Sequence, residues 1–70
     1  MTLYYFHKNK DSKGNHEVHT SNCSYLPTNE NREYIGSYNN CSDAINAAKH
    51  SHPQKSFDGC YWCSRTCHKG

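Results

Sequence analysis

Apolar and aromatic positions along the chain come in short bursts set between long polar stretches, and the bursts differ in period. Leu3-Tyr4-Tyr5-Phe6-His7 is rich in strand-forming aromatics. Lys8 to Asn15 carries Lys, Asn, Asp, Ser and Gly, which is turn chemistry, and Glu17-Val18-His19-Thr20 then returns as a second strand. Residues 21–33 are polar and broken by Pro27, so they read as a loop, and Glu33 to Tyr38 reads as a third strand. Asn40 is placed to cap a helix, with Asp43 three residues on. Behind it, Cys41, Ala44, Ile45 and Ala48 fall at i, i+3, i+4 and i+7, a narrow apolar stripe. Lys49 and His50 suit the C-terminal end of the helix dipole, and Pro53 cannot continue the helix. A Ser/Gln/Lys linker leads to Gly59, and Tyr61 to His68 reads as a second, short helix. The pattern predicts one α+β domain over residues 1–70, with a two- or three-stranded antiparallel sheet, one main helix and a short C-terminal helix.

Composition makes such a domain hard to hold together. Only 33% of the 70 residues are hydrophobic, and that share includes five Cys and six Tyr. A chain of this length buries only roughly 60% of the surface its unfolded form exposes. Against an ordering entropy of roughly 1.5 kcal/mol per residue, so thin a core needs a staple. Five is an odd number of cysteines, so a closed disulfide framework would leave one thiol over. The N-terminal MTLYYFHKNK has neither an apolar h-region nor a small-residue cleavage site, and no stretch is apolar enough to span a membrane. A cytoplasmic protein is expected, and in a reducing compartment clustered Cys and His point to a metal before disulfides.

Spacing sorts the candidate ligands. Cys60-x2-Cys63 presents two sulfurs to one ion from a single turn, and His19-x3-Cys23 runs from a strand into a turn, as a metal knuckle does. Together His19, Cys23, Cys60 and Cys63 supply the four ligands of a tetrahedral zinc ion, which would then be the staple. Cys67, His68 and Cys41 compete for the place given to His19. Cys67 shares a helical face with Cys63, whereas Cys41 sits on the apolar stripe and suits a buried small hydrophobe. A redox reading of Cys60 and Cys63 needs a βαβ context that the pattern lacks. His16-Glu17-Val18-His19 is one residue short of the H-E-x-x-H metalloprotease spacing, and on a strand His16 and His19 point to opposite faces.

The run of His19-x3-Cys23, Tyr34-Ile35-Gly36-Ser37-Tyr38, Ser42-Asp43-Ala44 and Gly59-Cys60-x2-Cys63 resembles the Ada-type zinc-binding module, the metal domain of a bacterial DNA-repair protein also found in small phage and nuclease-associated proteins. The resemblance covers about residues 16–64 and implies the same four zinc ligands. In that family the first ligand is a Cys whose thiolate accepts a methyl group from a DNA phosphotriester. Here the position holds His19, and a neutral imidazole has no thiolate to alkylate. The segment between the two ligand pairs is also longer than the family's and rich in Asn. The resemblance therefore implies a structural site and no methyl transfer.

Three functions follow as expectations. The first is a non-enzymatic, monomeric zinc module whose closed shell leaves no position for substrate, and whose exposed aromatics bind a protein partner, while Tyr34, Tyr38 and Trp62 are expected to fill out the thin core. The second is nucleic-acid binding through Lys8, Lys10, Lys13, Arg32, Lys55 and Arg65, with Tyr stacking on bases. A net charge of +2 with scattered basic residues argues weakly for it. The third is a metal-handling or redox-sensing protein, in which Cys67 and His68 exchange with the bound ligands.

Overall fold

Four strands and one helix make up the regular structure of the computed structural model, which describes residues 1–69. Strands β1 (Thr2–His7) and β2 (Asn15–Thr20) form an antiparallel hairpin with Phe6 opposite Val18 and Tyr5 opposite His19. The seven-residue connection closes on Asp11, whose Oδ1 accepts the Lys13 and Asn15 N–H groups, and on Gly14 at φ 84°. Strand β3 (Arg32–Tyr38) pairs antiparallel with the other side of β1. Its register shifts between Tyr4 and Tyr5, where the chain bulges at Ile35 and Gly36 takes φ 152°.

Helix α1 (Cys41–Ser51) starts where the capping pattern predicts, with Asn40 Oδ1 accepting the Asp43 N–H at 2.8 Å. Its buried stripe is the predicted one: Cys41, Ala44, Ile45 and Ala48. Three of these are small, so the helix lies close to the sheet. Cys41, Ala44 and Ile45 join Tyr4, Phe6 and Val18 in one hydrophobic core, with Ile35, Tyr38, Phe57 and Cys67 packed around it. The helix leaves β3 at one edge of the sheet and delivers the chain to β4 (Ser56–Gly59) at the other, giving the order β3-β1-β2-β4.

Two expectations change here. The sheet has four strands and is mixed, because β4 pairs parallel to β2, from Asn15 beside Ser56 to Val18 beside Gly59. Ser56-Phe57-Asp58-Gly59 has one apolar residue and so reads as linker in sequence. Its backbone nevertheless completes the β2 edge, and the buried Asp58 carboxylate is satisfied by the Gly59 and Lys69 N–H groups at 3.0 and 2.8 Å. The second helix, expected over Tyr61 to His68, is replaced by a turn through residues 61–63 and one 3-10 turn, Arg65–Cys67. Two anchors prevent a continuous helix: Cys63 faces His19, and Cys67 is bonded to Cys41.

Alternation along β2 separates its two histidines as expected. His16 packs on the helix side between Phe6 and Phe57, with Nδ1 donating to the His7 carbonyl at 2.8 Å and Nε2 buried without a partner. His19 turns to the opposite face.

Candidate metal centre

The end of β2 and the end of β4 are neighbours because the two strands run parallel, and each runs into a turn bearing cysteine. From β2 the chain passes His19 and Thr20 into a turn in which the Cys23 N–H donates to the Thr20 carbonyl and the Leu26 N–H to the Cys23 carbonyl. From β4 it passes Gly59 into the turn carrying Cys60 and Cys63. The Cys60 N–H donates to the Val18 carbonyl at 2.9 Å, which ties this second turn to the residue before His19.

The result brings together the four predicted residues. One ligand atom each from His19, Cys23, Cys60 and Cys63 lies within 4.8 Å of the others. Cys23 Sγ to Cys60 Sγ and Cys63 Sγ to His19 Nδ1 are each 3.9 Å. A tetrahedral shell with Zn–S of ~2.3 Å and Zn–N of ~2.0 Å has edges of roughly 3.5–3.8 Å, close to the two 3.9 Å spacings and shorter than the 4.8 Å that bounds all of them. The cluster is a Cys3His donor set that could hold a metal ion.

Electrostatics points the same way. Burial, and then the charge of His7, lowers the His19 pKa to about 4, so the ring is neutral at pH 7 and has a lone pair to give. Burial pushes the Cys23 thiol up to about 12, aided by its hydrogen bond with Cys63, and burial raises Cys60 as well. At Cys63 burial also opposes the thiolate, but donors outweigh it. The Thr20 N–H points at its Sγ at 3.3 Å, Cys23 and Cys60 add hydrogen bonds, and the net shift is downward. Three sulfurs this close do not all ionise on their own, and a dication at their centre removes the conflict.

The surroundings extend the site. Glu17 Oε1 lies 3.2 Å from His19 Nε2, off the line of a hydrogen bond, so Nε2 is in carboxylate contact without an aligned partner. Glu17 belongs to no ligand spacing in the sequence, but as residue i to His19 at i+2 on β2 it shares the same face of the strand. Tyr25 and Trp62, close in sequence to Cys23 and Cys63, stack at 5.5 Å with ring planes 22° apart and are 57% and 66% exposed, so Trp62, like Tyr34, lies outside the core expected to hold it, whereas Tyr38 packs against that core. Tyr25 and Trp62 line a shallow groove of ≈ 290 Å³ that also reaches Cys23 and Cys63.

None of the competing ligands enters the cluster. Cys41 is buried, as expected of a small hydrophobe, but it is bonded to Cys67 in a disulfide. His68 turns its Nδ1 to the Gly59 carbonyl at 3.0 Å. The odd cysteine count thus divides into three sulfurs at the cluster and two in a bond. The Lys8, Lys10 and Lys13 segment lies in the hairpin turn, at the end of β2 remote from the cluster. No helix among the described residues is long and apolar enough to cross a membrane.

No protein-family model, curated protein or solved structure matches this chain.

Proposed function

We propose that the chain is a single structural-zinc module in which His19, Cys23, Cys60 and Cys63 hold one tetrahedral Zn²⁺ and fasten the β2 end to the β4 end. The observation that carries this reading is the convergence of three sulfurs and one imidazole nitrogen within 4.8 Å across two separate chain segments. Zinc suits the donor set: three soft thiolates and an imidazole, four protein ligands that can close around one ion. Four protein ligands close the shell, so the ion acts on the fold and not on a substrate, and the module is non-enzymatic. The likeness to the Ada-type module extends to the ligand pattern and stops at His19, where methyl-accepting chemistry needs a thiolate. The proposed setting is cytoplasmic, where a bond such as Cys41–Cys67 is redox-responsive and not a permanent staple, and the module is monomeric, with a protein partner docking beside the ion on Tyr25 and Trp62.

Two measurements test the ion. Elemental analysis of the purified protein gives one zinc per chain, and Co²⁺ substitution gives the visible bands of tetrahedral thiolate ligation. His19→Ala and Cys60→Ser each abolish stoichiometric binding. Full zinc content in both variants would remove the reading.

A second reading, nucleic-acid binding, is favoured by one observation. The stacked Tyr25 and Trp62 rings are an exposed platform of the kind on which bases stack, with Arg65 nearby over the Tyr61 ring at 4.8 Å. Trp62 is the only tryptophan, so its fluorescence reports directly. Quenching by a single-stranded oligonucleotide that weakens with added salt supports this reading, and unchanged fluorescence at low salt removes it.

A further inference from the structure

The Cys41–Cys67 disulfide ends beside the ligands. Cys60 and Cys63 lie on one turn and Cys67 on the 3-10 turn that follows it, linked through Ser64, whose N–H donates to the Cys60 carbonyl at 2.8 Å and whose carbonyl accepts the Cys67 N–H at 3.0 Å. This segment lies flush on Gly59, the residue before Cys60. A Cβ at Gly59 would meet the Ser64 carbonyl oxygen and stand 2.7 Å from Cys67 Cβ. Beyond Ser64 the segment is thinly anchored. Arg65, Thr66 and Lys69 are exposed, and Cys67 is the residue there that packs against the hydrophobic core. His68 and Lys69 add a hydrogen bond each, to the Gly59 carbonyl and to Asp58, and His68 also lies 3.7 Å from the Asp58 carboxylate and edge-on to Tyr61, whose ring Arg65 covers. The covalent bond from Cys67 to the first residue of α1 is therefore the clamp on the far end of this segment, and it adds to the Cys60 N–H to Val18 carbonyl and Thr20 N–H to Cys63 Sγ contacts that hold the turn itself.

We propose that this disulfide is a redox control on the metal centre: closed, it keeps Cys60 and Cys63 in register with His19 and Cys23, and opened by a low-molecular-weight thiol it weakens the hold on the ion. The inference rests on the reading that these four residues bind a metal.

The two sulfurs are unequal. Cys41 is buried, whereas Cys67 is partly exposed, so an incoming thiolate RS⁻ attacks Cys67 Sγ. The S–S bond breaks as the new S–S bond forms, and the electron pair leaves on Cys41. That thiolate forms at the N-terminus of an eleven-residue helix, 3.3 Å from the Thr66 hydroxyl, and both stabilise it. A second thiolate then displaces Cys67 from the mixed disulfide. In sum, two RSH and the protein disulfide become RSSR and two protein thiols. Two electrons pass from the small thiols to Cys41 and Cys67, whose protons come from the RSH. The ion keeps its oxidation state throughout.

Coupling of this kind is reciprocal: if opening the disulfide weakens zinc binding by some factor, bound zinc makes the disulfide harder to open by the same factor. Two measurements use this. In the first, zinc affinity is read by competition with a chromophoric chelator, anaerobically and without added thiol, for the oxidised protein and for the double variant Cys41→Ser, Cys67→Ser. The variant is expected to bind at least tenfold more weakly. In the second, which needs no variant to fold, the wild-type protein is equilibrated in glutathione buffers of graded ratio with and without stoichiometric zinc, and its thiols are counted by alkylation and mass spectrometry. Zinc is expected to shift the midpoint by the factor found in the first. Equal affinities with an unshifted midpoint overturn the control alone. Oxidised wild-type protein that binds no zinc overturns the metal reading, and the control with it.

Discussion

Glu17 Oε1 stands 3.2 Å from His19 Nε2, on the side of the imidazole away from the sulfurs. The ring therefore has a defined division of labour, with Nδ1 toward the cluster and Nε2 toward a carboxylate. A carboxylate behind a ligating histidine fixes its tautomer and raises its basicity, and losing such a partner typically costs 10–100-fold in metal affinity. Glu17 is partly solvated and its contact is imperfectly aligned, which places it at the lower end. Glu17→Gln is expected to weaken zinc binding about tenfold by chelator competition. An affinity equal to wild type would show that the contact is incidental.

Acid acts on the site through two groups of residues, and both have the same sign. His19 has its pKa lowered by burial from 6.5 to about 4, so the unfolded chain takes up this proton before the folded one does. The stability it contributes is present above pH 6.5 and is lost as pH falls toward about 4, by up to roughly 3 kcal/mol in the metal-free protein. With zinc bound, protonation of the sulfurs competes with the ion, so the loss is steeper. Thermal melts from pH 7.5 to 4, with and without zinc, are expected to converge at the acid end. Cys23 and Cys60 are thiols without the ion, so zinc binding at pH 7 is expected to release at least two protons, readable by calorimetry in buffers of different ionisation enthalpy.

Gly59→Ala tests the close approach of the C-terminal turn. The added methyl meets the Ser64 carbonyl and the backbone of Cys67, and neither is the free end of a flexible side chain. Overpacking of this kind typically costs 1–3 kcal/mol, and here about 3 kcal/mol is expected, with a fall in melting temperature and in zinc affinity together. Gly14→Ala, in open space at φ 84°, carries backbone strain only and is expected to leave zinc affinity unchanged.

Asn40→Ala removes the side-chain oxygen that caps α1 and is expected to cost about 1 kcal/mol in chemical denaturation. Cys41 is the next residue, so the variant also reads how far helix fraying reaches the disulfide. Reduction midpoints in glutathione buffers are expected to move toward easier opening.

How legible the molecule was in its sequence depended on whether a feature was local. The α1 boundaries followed from Asn40, the Cys41-Ala44-Ile45-Ala48 stripe and Pro53, all within one short window. The β1 and β2 hairpin followed from aromatic runs flanking turn residues. The grouping of His19, Cys23, Cys60 and Cys63 followed from spacing, because ligands on tight turns carry their geometry with them. Strand β4 was not legible. Its four residues have no alternation of their own and become a strand only because β2 offers an open edge. The Cys41–Cys67 bond was hidden for a related reason. Each residue had a sound local reading, as stripe hydrophobe and as helical neighbour of Cys63, and only the crossing of α1 over the sheet brings them together.

The parallel pairing of β2 with β4 has a kinetic consequence. It joins residues near position 17 to residues near position 58, and contacts so far apart form only after a long loop has closed. The Cys60–Cys63 pair, by contrast, is a chelate that exists as soon as its own turn does. An ion captured there arrives at β2 already carrying two of its ligands, so the search for His19 and Cys23 is made by a preloaded half-site. If the four residues hold zinc as proposed, refolding with the ion present is expected to begin with a local capture and to end with the docking of one chain segment onto another.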